Sequence, residues 1–195
     1  GRIKAFTPGW LERESIFLHM TYKYLWGLLS AGVYDQFFEA LATNFTPFMK
    51  PEVYGRNVLE NSSFIASSVN PNPATHGQGF VARLSGSNAE VLSIWYRMMV
   101  GPTGFSYQEG QLTFTFSPIL PAAFFEKTGE VSFKLLGKTW VTYLNKSGHS
   151  TFGEDAPTIA TITLYQGGQS FQVSGETLSA KEAIALREGV YDKVT

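Results

Sequence analysis

The sequence predicts an α+β chain of more than one part, with helices in its first half and an antiparallel β-sandwich in its second. Residues 1–100 carry apolar side chains at helical spacing. Residues 101–195 instead alternate polar and apolar positions between glycine-containing turns, which is typical of strands and hairpins. Gly101-Pro102 lies where one pattern replaces the other. We therefore place the boundary near Gly101.

Three helices are expected in the first part. The first covers 12–30 and is apolar on nearly every face, which indicates neighbours on several sides. The second covers 33–44 and ends before Pro47, because proline cannot continue a helix. The third covers 79–100. The long segment 46–77 is rich in Pro, Asn and Ser, and irregular segments of this length are often functional.

Short alternating runs in the second part predict strands. The expected strands are 112–116, 131–136, 139–144, 158–165 and 170–173. Gly137-Lys138 and Gly167-Gly168 stand between neighbouring runs and predict two hairpins. Ser179 and Glu182 have the spacing of a capping box, which predicts a short helix near the end of the chain.

Composition excludes several classes of function. The chain has 195 residues, a formal net charge of −1 and no cysteine. A basic surface for nucleic acid is therefore absent, and so are disulfides, thiolate metal sites and a cysteine nucleophile. The three histidines lack the short spacings of a zinc site, so we expect neither a metal nor a cofactor. Aromatic residues make up 15%, a richness that fits a β-sandwich or a carbohydrate-facing surface.

The most apolar segment, 16–33, is expected to be a buried helix. Its uninterrupted apolar stretches fall short of the roughly 20 residues that a membrane helix needs, and it contains His19 and Lys23. We therefore expect no membrane partner, and since no signal peptide is visible we expect a cytoplasmic protein. The chain opens with Gly1 rather than Met, so we expect a preceding part of the parent protein, or a second copy, to cover the apolar helices.

Four segments carry a resemblance to a known family. They are Glu12-Arg13-Glu14-Ser15-Ile16-Phe17-Leu18-His19, the stretch from Thr75-His76-Gly77 to Leu84-Ser85-Gly86, Ser117-Pro118-Ile119-Leu120-Pro121, and Phe133-Lys134-Leu135-Leu136-Gly137-Lys138-Thr139-Trp140. In content and order they resemble the C-terminal end of the inverting glycoside phosphorylases of the cellobiose phosphorylase family. The resemblance implies that 1–100 ends a catalytic (α/α)6 toroid and that 101–195 is a jelly-roll-like C-terminal domain.

The resemblance also implies a function and a set of site residues. The chain would supply part of a phosphate and sugar site for inverting phosphorolysis of a β-glucoside, with an oligosaccharide and inorganic phosphate as partners. The general acid would lie in a preceding segment, so no catalytic residue is expected here. The implied phosphate-binding residues are His19, Ser85, Gly86 and Ser87. Weaker candidates for substrate contact are Glu12, Glu60 and His76.

Simpler interpretations stand beside these. A histidine on an apolar helix is often a core residue, Ser85-Gly86-Ser87 also suits close helix packing, and His76 also suits a loop brace. The family has Thr where Ser85 stands, and its Gln near the phosphate falls at about Ala66. The second difference favours a hydrolase of the same fold. A third alternative is a non-catalytic carbohydrate-binding or structural module.

Overall fold

The computed structural model describes residues 1–81 and 86–195, apart from the Gln108 side chain. The described chain divides into two compact units, Gly1–Trp95 and Tyr96–Thr195. It combines helices with three sheets in which nearly all strand pairs are antiparallel. The structure therefore confirms the predicted α+β class.

The first unit is built mainly from helices, with three very short strands. Its elements are β1 (Ile16–Phe17), α1 (Leu18–Ser30), α2 (Tyr34–Asn44), α3 (Pro51–Tyr54), β2 (Phe64–Ile65), β3 (Gly79–Phe80) and α4 (Gly86–Val100), whose end lies in the second unit. Single-turn 3-10 helices lie at Arg2–Ala5, Thr46–Phe48 and Pro73–Thr75.

Helix α1 buries one face rather than all of them. Leu18, Tyr22, Leu25 and Leu29 are fully buried, and their spacing of three and four residues puts them on one stripe. This stripe packs against α2, which contributes buried Phe37 and Leu41. On the other side, Met20 and Tyr24 are each 59% exposed. The expectation of neighbours on nearly every side is therefore met only in part within the described residues.

Two predicted helices begin later than expected. Helix α1 starts at Leu18 rather than residue 12, because Trp10 and Arg13 close a tight turn and Glu14 has a φ of 57°. Helix α4 starts at Gly86 rather than residue 79, because Gly79–Phe80 forms strand β3. In the sequence, the helical spacing of apolar residues begins before both helices do. It therefore did not predict where each helix starts.

The second unit carries most of the strands and one helix. Its elements are β4 (Gly104–Gln108), β5 (Gln111–Thr115), the 3-10 helix Ala122–Phe124, β6 (Glu130–Leu135), β7 (Thr139–Leu144), β8 (Thr161–Gln166), β9 (Gln169–Ser174), β10 (Thr177–Leu178), α5 (Ala180–Glu188) and β11 (Lys193–Val194). The predicted strand over 112–116, both hairpins and the terminal helix are confirmed.

The strands of the second unit form two sheets. The smaller one has the order β10-β5-β4, and the larger one has the order β6-β7-β11-β8-β9. Strand β11 pairs in parallel with β7 and antiparallel with β8, so the larger sheet is mixed rather than wholly antiparallel. Helix α5 packs on β5, and α5 begins directly after Ser179, whose hydroxyl donates to Glu182. That hydrogen bond is the chief cause of the lowered pKa of the Glu182 carboxyl.

Candidate functional site

The small sheet of the first unit determines where α1 and α4 begin. Strand β2 pairs antiparallel with both β1 and β3, so β1 and β3 run in the same direction. Helix α1 follows β1 directly, and α4 begins six residues after β3 ends, past 82–85. Since parallel strands end at the same edge of a sheet, the starts of both helices lie at that edge. His19 is the second residue of α1, and Gly86 is the first residue of α4.

The imidazole of His19 lies directly against the backbone of Gly86. A Cβ atom added at residue 86 would be 2.5 Å from His19 Nδ1 and nearer still to Cε1 and Nε2. Only glycine leaves room for the ring in this position. The His19 side chain remains 39% exposed, so the ring also faces solvent beside the first turn of α4. The backbone N–H groups of a helix's first turn have no partners within the helix.

A carboxylate one turn along α4 connects this contact to a second cation. Glu90 Oε1 lies 3.5 Å from His19 Nε2 and 2.9 Å from Lys23 Nζ. Glu90 is four residues after Gly86, and Lys23 is four residues after His19, so each pair lies on one face of its helix. The Glu90 side chain is only 18% exposed, whereas that of Lys23 is 54% exposed. The sequence does not predict this ion pair, because it forms only where the fold brings residues 19 and 23 of α1 to residues 86 and 90 of α4.

Of the other two predicted phosphate-binding residues, the structure describes Ser87 but not Ser85. Ser87 is fully buried in the first turn of α4. Ser85 lies outside the described residues, as do Arg83 and Leu84. Of the four predicted ligands, His19 and Gly86 are thus in contact, and Ser87 follows Gly86 in the same turn. The arrangement presents an imidazole and a helix start, two kinds of group that commonly donate N–H groups to oxyanions in proteins.

Two of the three weaker candidates have partners of their own. Glu60 forms an ion pair with Arg56 at 3.0 Å, and Arg56 also donates to the carbonyl of Gly79 at 2.7 Å. His76 Nε2 lies 2.8 Å from the carbonyl oxygen of Asn70, which is the contact expected of a loop brace. Neither interaction reaches His19.

Glu12 does not lie on an early helical turn, as the sequence predicted. It lies in the tight turn that Trp10 and Arg13 close. Strand β1 ends five residues later, at Phe17, and α1 begins after it. The helical placement was wrong because Glu14, with a φ of 57°, interrupts the helical conformation two residues after Glu12. Glu12 therefore gains no stabilisation from the α1 dipole.

The described residues form neither a membrane-spanning helix nor a grouping of metal ligands. None of its helices combines the length and hydropathy of a bilayer-spanning segment. No three His, Asp or Glu side chains in residues 1–81 and 86–195 are grouped as a metal site requires. No model of a protein family matches this chain, and no curated protein does.

Proposed function

We propose that this chain is the C-terminal part of a carbohydrate-active enzyme resembling cellobiose phosphorylase, and that its His19–Gly86 contact forms part of a phosphate or sugar site. The contact carries the proposal because two segments far apart in sequence, each singled out by motif, meet ring against backbone. The order of a mainly helical unit followed by a unit with most of the strands also supports the proposal.

The chemistry of phosphorolysis explains the residue types. In an inverting phosphorylase, phosphate attacks the anomeric carbon while an acid protonates the departing glycosidic oxygen. Phosphate needs no general base, only donors that hold it in line. His19 would donate from its imidazole and Gly86 from its backbone N–H group, next to the fully buried Ser87. The acid would come from a segment preceding residue 1.

The charges around His19 suit an anion of limited charge. Lys23 and a protonated His19 each contribute a positive charge, and Glu90 between them contributes one negative charge. Lys23 and Glu90 compensate each other, so the cluster has a net positive charge only with the protonated form of His19. The Coulomb attraction for phosphate is modest in such partly exposed surroundings, so the helix N–H groups must supply the remaining affinity.

A phosphate titration followed by amide NMR tests the site. We expect phosphate at millimolar concentration to shift the amide signals of Gly86 and Ser87, and His19→Ala to weaken this binding about tenfold, the loss of one charge-assisted hydrogen bond. His149→Ala is the matched control, since His149 is an exposed histidine in the second unit. Unchanged Gly86 and Ser87 signals at tens of millimolar phosphate would refute the site.

Hydrolysis is the second candidate reaction, and one residue favours it. Ala66, which stands where the family has Gln, is 2% exposed and donates its N–H to Gln78, so its side chain supplies no donor for phosphate. The two reactions are separated by assaying the longer protein that contains this chain on cellobiose with and without phosphate. Equal product release in both assays favours hydrolysis, and release that requires phosphate favours phosphorolysis.

A further inference from the structure

The outer face of the large sheet in the second unit carries a row of hydroxyl and amide side chains. Ser132 pairs with Thr142 across β6 and β7, and Thr163 pairs with Gln172 across β8 and β9. Thr195 continues β11 between them, exchanging backbone hydrogen bonds with Thr163 at 2.6 and 2.9 Å. Paired residues point to the same face of a sheet, so one polar row crosses all five strands.

A groove of about 720 Å³ lies over this row. Thr142, Thr163, Thr195 and Gln172 line it, together with residues of the long connection between β7 and β8. Its volume is within the range of small-molecule sites, which run from roughly 300 to 1,000 Å³. The whole groove is formed by residues of the second unit, so it is separate from the His19 contact.

Several polar groups in the groove have no protein partner. The Oγ1 atom of Thr195 is buried and makes no hydrogen bond within the described residues. The side chains of Thr161, Thr163 and Gln172 also line the groove, and their hydroxyl and amide groups are available to a ligand. A buried polar group without a partner is costly, so a ligand that hydrogen-bonds Thr195 gains affinity by removing that cost.

The charge of the lining selects a neutral ligand. Lys146 and Glu176 are its only ionisable acid and base side chains apart from the phenol of Tyr143. The hydroxyl of Tyr143 already donates to the carbonyl of Met99 at 2.6 Å, and burial raises its pKa well above the usual range. The lining therefore offers many neutral donors and acceptors but no cluster of one charge, which an anionic ligand would need.

The neighbouring row of the same face carries exposed aromatic rings. Trp140 and Tyr165 flank Lys193 in register and are 52% and 36% exposed, and each ring has an ammonium group near it, Lys134 Nζ at 6.0 Å from the Trp140 centroid and Lys193 Nζ at 5.7 Å from that of Tyr165. They lie two residues along their strands from Thr142 and Thr163, which is about 7 Å on the same face. Flat rings beside a polar row match a sugar, whose ring presents an apolar face of C–H groups and an edge of hydroxyls.

We propose that this groove binds a neutral oligosaccharide, with its hydroxyls on the row Thr142–Thr195–Thr163–Gln172 and its next unit over Trp140 or Tyr165. The choice of a β-glucan as first probe rests on the proposed function, whereas the groove itself does not.

The test is calorimetric titration of the chain with cellotetraose and maltotetraose, and with trigalacturonate as an acidic control. We expect at least one neutral tetrasaccharide to bind. Thr163→Val and Gln172→Ala should each weaken that binding about tenfold, the loss of one hydrogen bond to a ligand. Valine keeps the shape and strand preference of threonine, so folding is retained. Gln169→Ala is the control, since Gln169 is exposed on the same strand and lies outside the groove.

The outcomes separate this proposal from the phosphate site. Binding that His19→Ala leaves unchanged but Thr163→Val weakens supports the groove, whatever phosphate does. Absence of binding by both neutral tetrasaccharides overturns it, as does equal binding by Thr163→Val, Gln172→Ala and the unaltered chain. Tighter binding of trigalacturonate than of either neutral sugar would also overturn it.

Discussion

His19 occupies the volume that a side chain at residue 86 would need. An added Cβ there would lie 2.5 Å from His19 Nδ1 and closer to two other ring atoms, distances that real Cβ atoms do not show. Glycine at 86 and the position of the imidazole are therefore coupled. A change at Gly86 must move a residue that is 67 positions away in sequence.

Gly86→Ala is expected to displace the His19 ring without unfolding the chain. The ring is 39% exposed and free to rotate into solvent, and alanine is a better helix former than glycine. Phosphate affinity should fall about tenfold, because the imidazole no longer faces the helix start. The measurements are a phosphate titration and the proton chemical shifts of the His19 ring.

Gly27→Ala is the control for this substitution, since Gly27 is also helical and a Cβ there meets nothing within 4 Å. Its phosphate affinity should equal that of the unaltered chain. If Gly86→Ala binds phosphate equally well, the His19 ring has no part in the site.

Glu90→Gln is expected to strengthen anion binding severalfold at low ionic strength. The carboxylate lies 2.9 Å from Lys23 and 3.5 Å from His19, so its loss leaves the Lys23 ammonium group uncompensated near the start of α4. Glutamine keeps the shape of the side chain. The measurement is the phosphate dissociation constant at several salt concentrations, where screening should reduce the gain.

Glu39→Gln provides the comparison, because Glu39 is exposed on α2 and forms no ion pair among the described residues. A weaker affinity in Glu90→Gln than in this control would mean that Glu90 serves the site by orienting His19. That result would contradict the electrostatic prediction.

The sequence predicted the elements whose signals are local. Helix α2 and the hairpin of β6 and β7 have their periodicity and turn residues within a few positions of each other, and both lie close to their expected bounds. Strands β1, β2 and β3 have only two residues each, too few for any alternation to be visible. Their pairing depends on partners tens of residues away.

Some residues of the candidate site were also found from the sequence, and others depend on the fold. The motif resemblance implied that His19 and Gly86 belong to one site, and the structure places them in contact. Glu90 was missed because a glutamate on a helix face is ordinarily a solvated charge, and only the facing of α1 and α4 gives it His19 and Lys23 as neighbours. The groove of the second unit was missed because strand β11, which sets Thr195 between β7 and β8, was not predicted.

Gly79→Ala is expected to destabilise the chain by about 1–3 kcal/mol, the usual cost of overpacking a core. A Cβ at residue 79 would lie 2.8 Å from Tyr54 Cζ and closer still to Ser62 Oγ. Both neighbours are buried, and the Tyr54 hydroxyl donates to the carbonyl of Glu60 at 2.6 Å, so neither yields easily. Urea denaturation measures the loss.

Gly27→Ala again supplies the comparison, with the opposite sign. Since Gly27 is helical and a Cβ there meets open space in the last turn of α1, alanine should stabilise by about 0.5–1 kcal/mol. Equal stability of the two variants would show that strand β3 adjusts to the added methyl group.

Stability should fall in alkali partly through Tyr22. Burial raises the pKa of Tyr22 to about 12, although hydrogen bonds with Thr46 act in the opposite direction. An unfolded tyrosine has a pKa near 10, so between about pH 10 and 12 the unfolded chain loses this proton while the folded chain keeps it. The contribution of Tyr22 to stability is therefore complete below pH 10 and is lost as the pH rises toward 12. At pH 11 the loss in the free energy of unfolding is about 1.4 kcal/mol.

Tyr22→Phe should remove that part of the alkaline loss and lower stability at neutral pH. The hydroxyl donates to Asn61 at 2.9 Å and accepts the N–H of Thr46 at 3.2 Å, and leaving these buried groups unpaired costs about 1–3 kcal/mol. Tyr107→Phe is the control, since Tyr107 is 74% exposed. Urea denaturation from pH 8 to 11 gives the free energy of unfolding of each protein. If the free energy of unfolding falls equally between pH 8 and 11 in Tyr22→Phe and in the unaltered chain, Tyr22 has the same pKa in the folded and unfolded states, and the prediction fails.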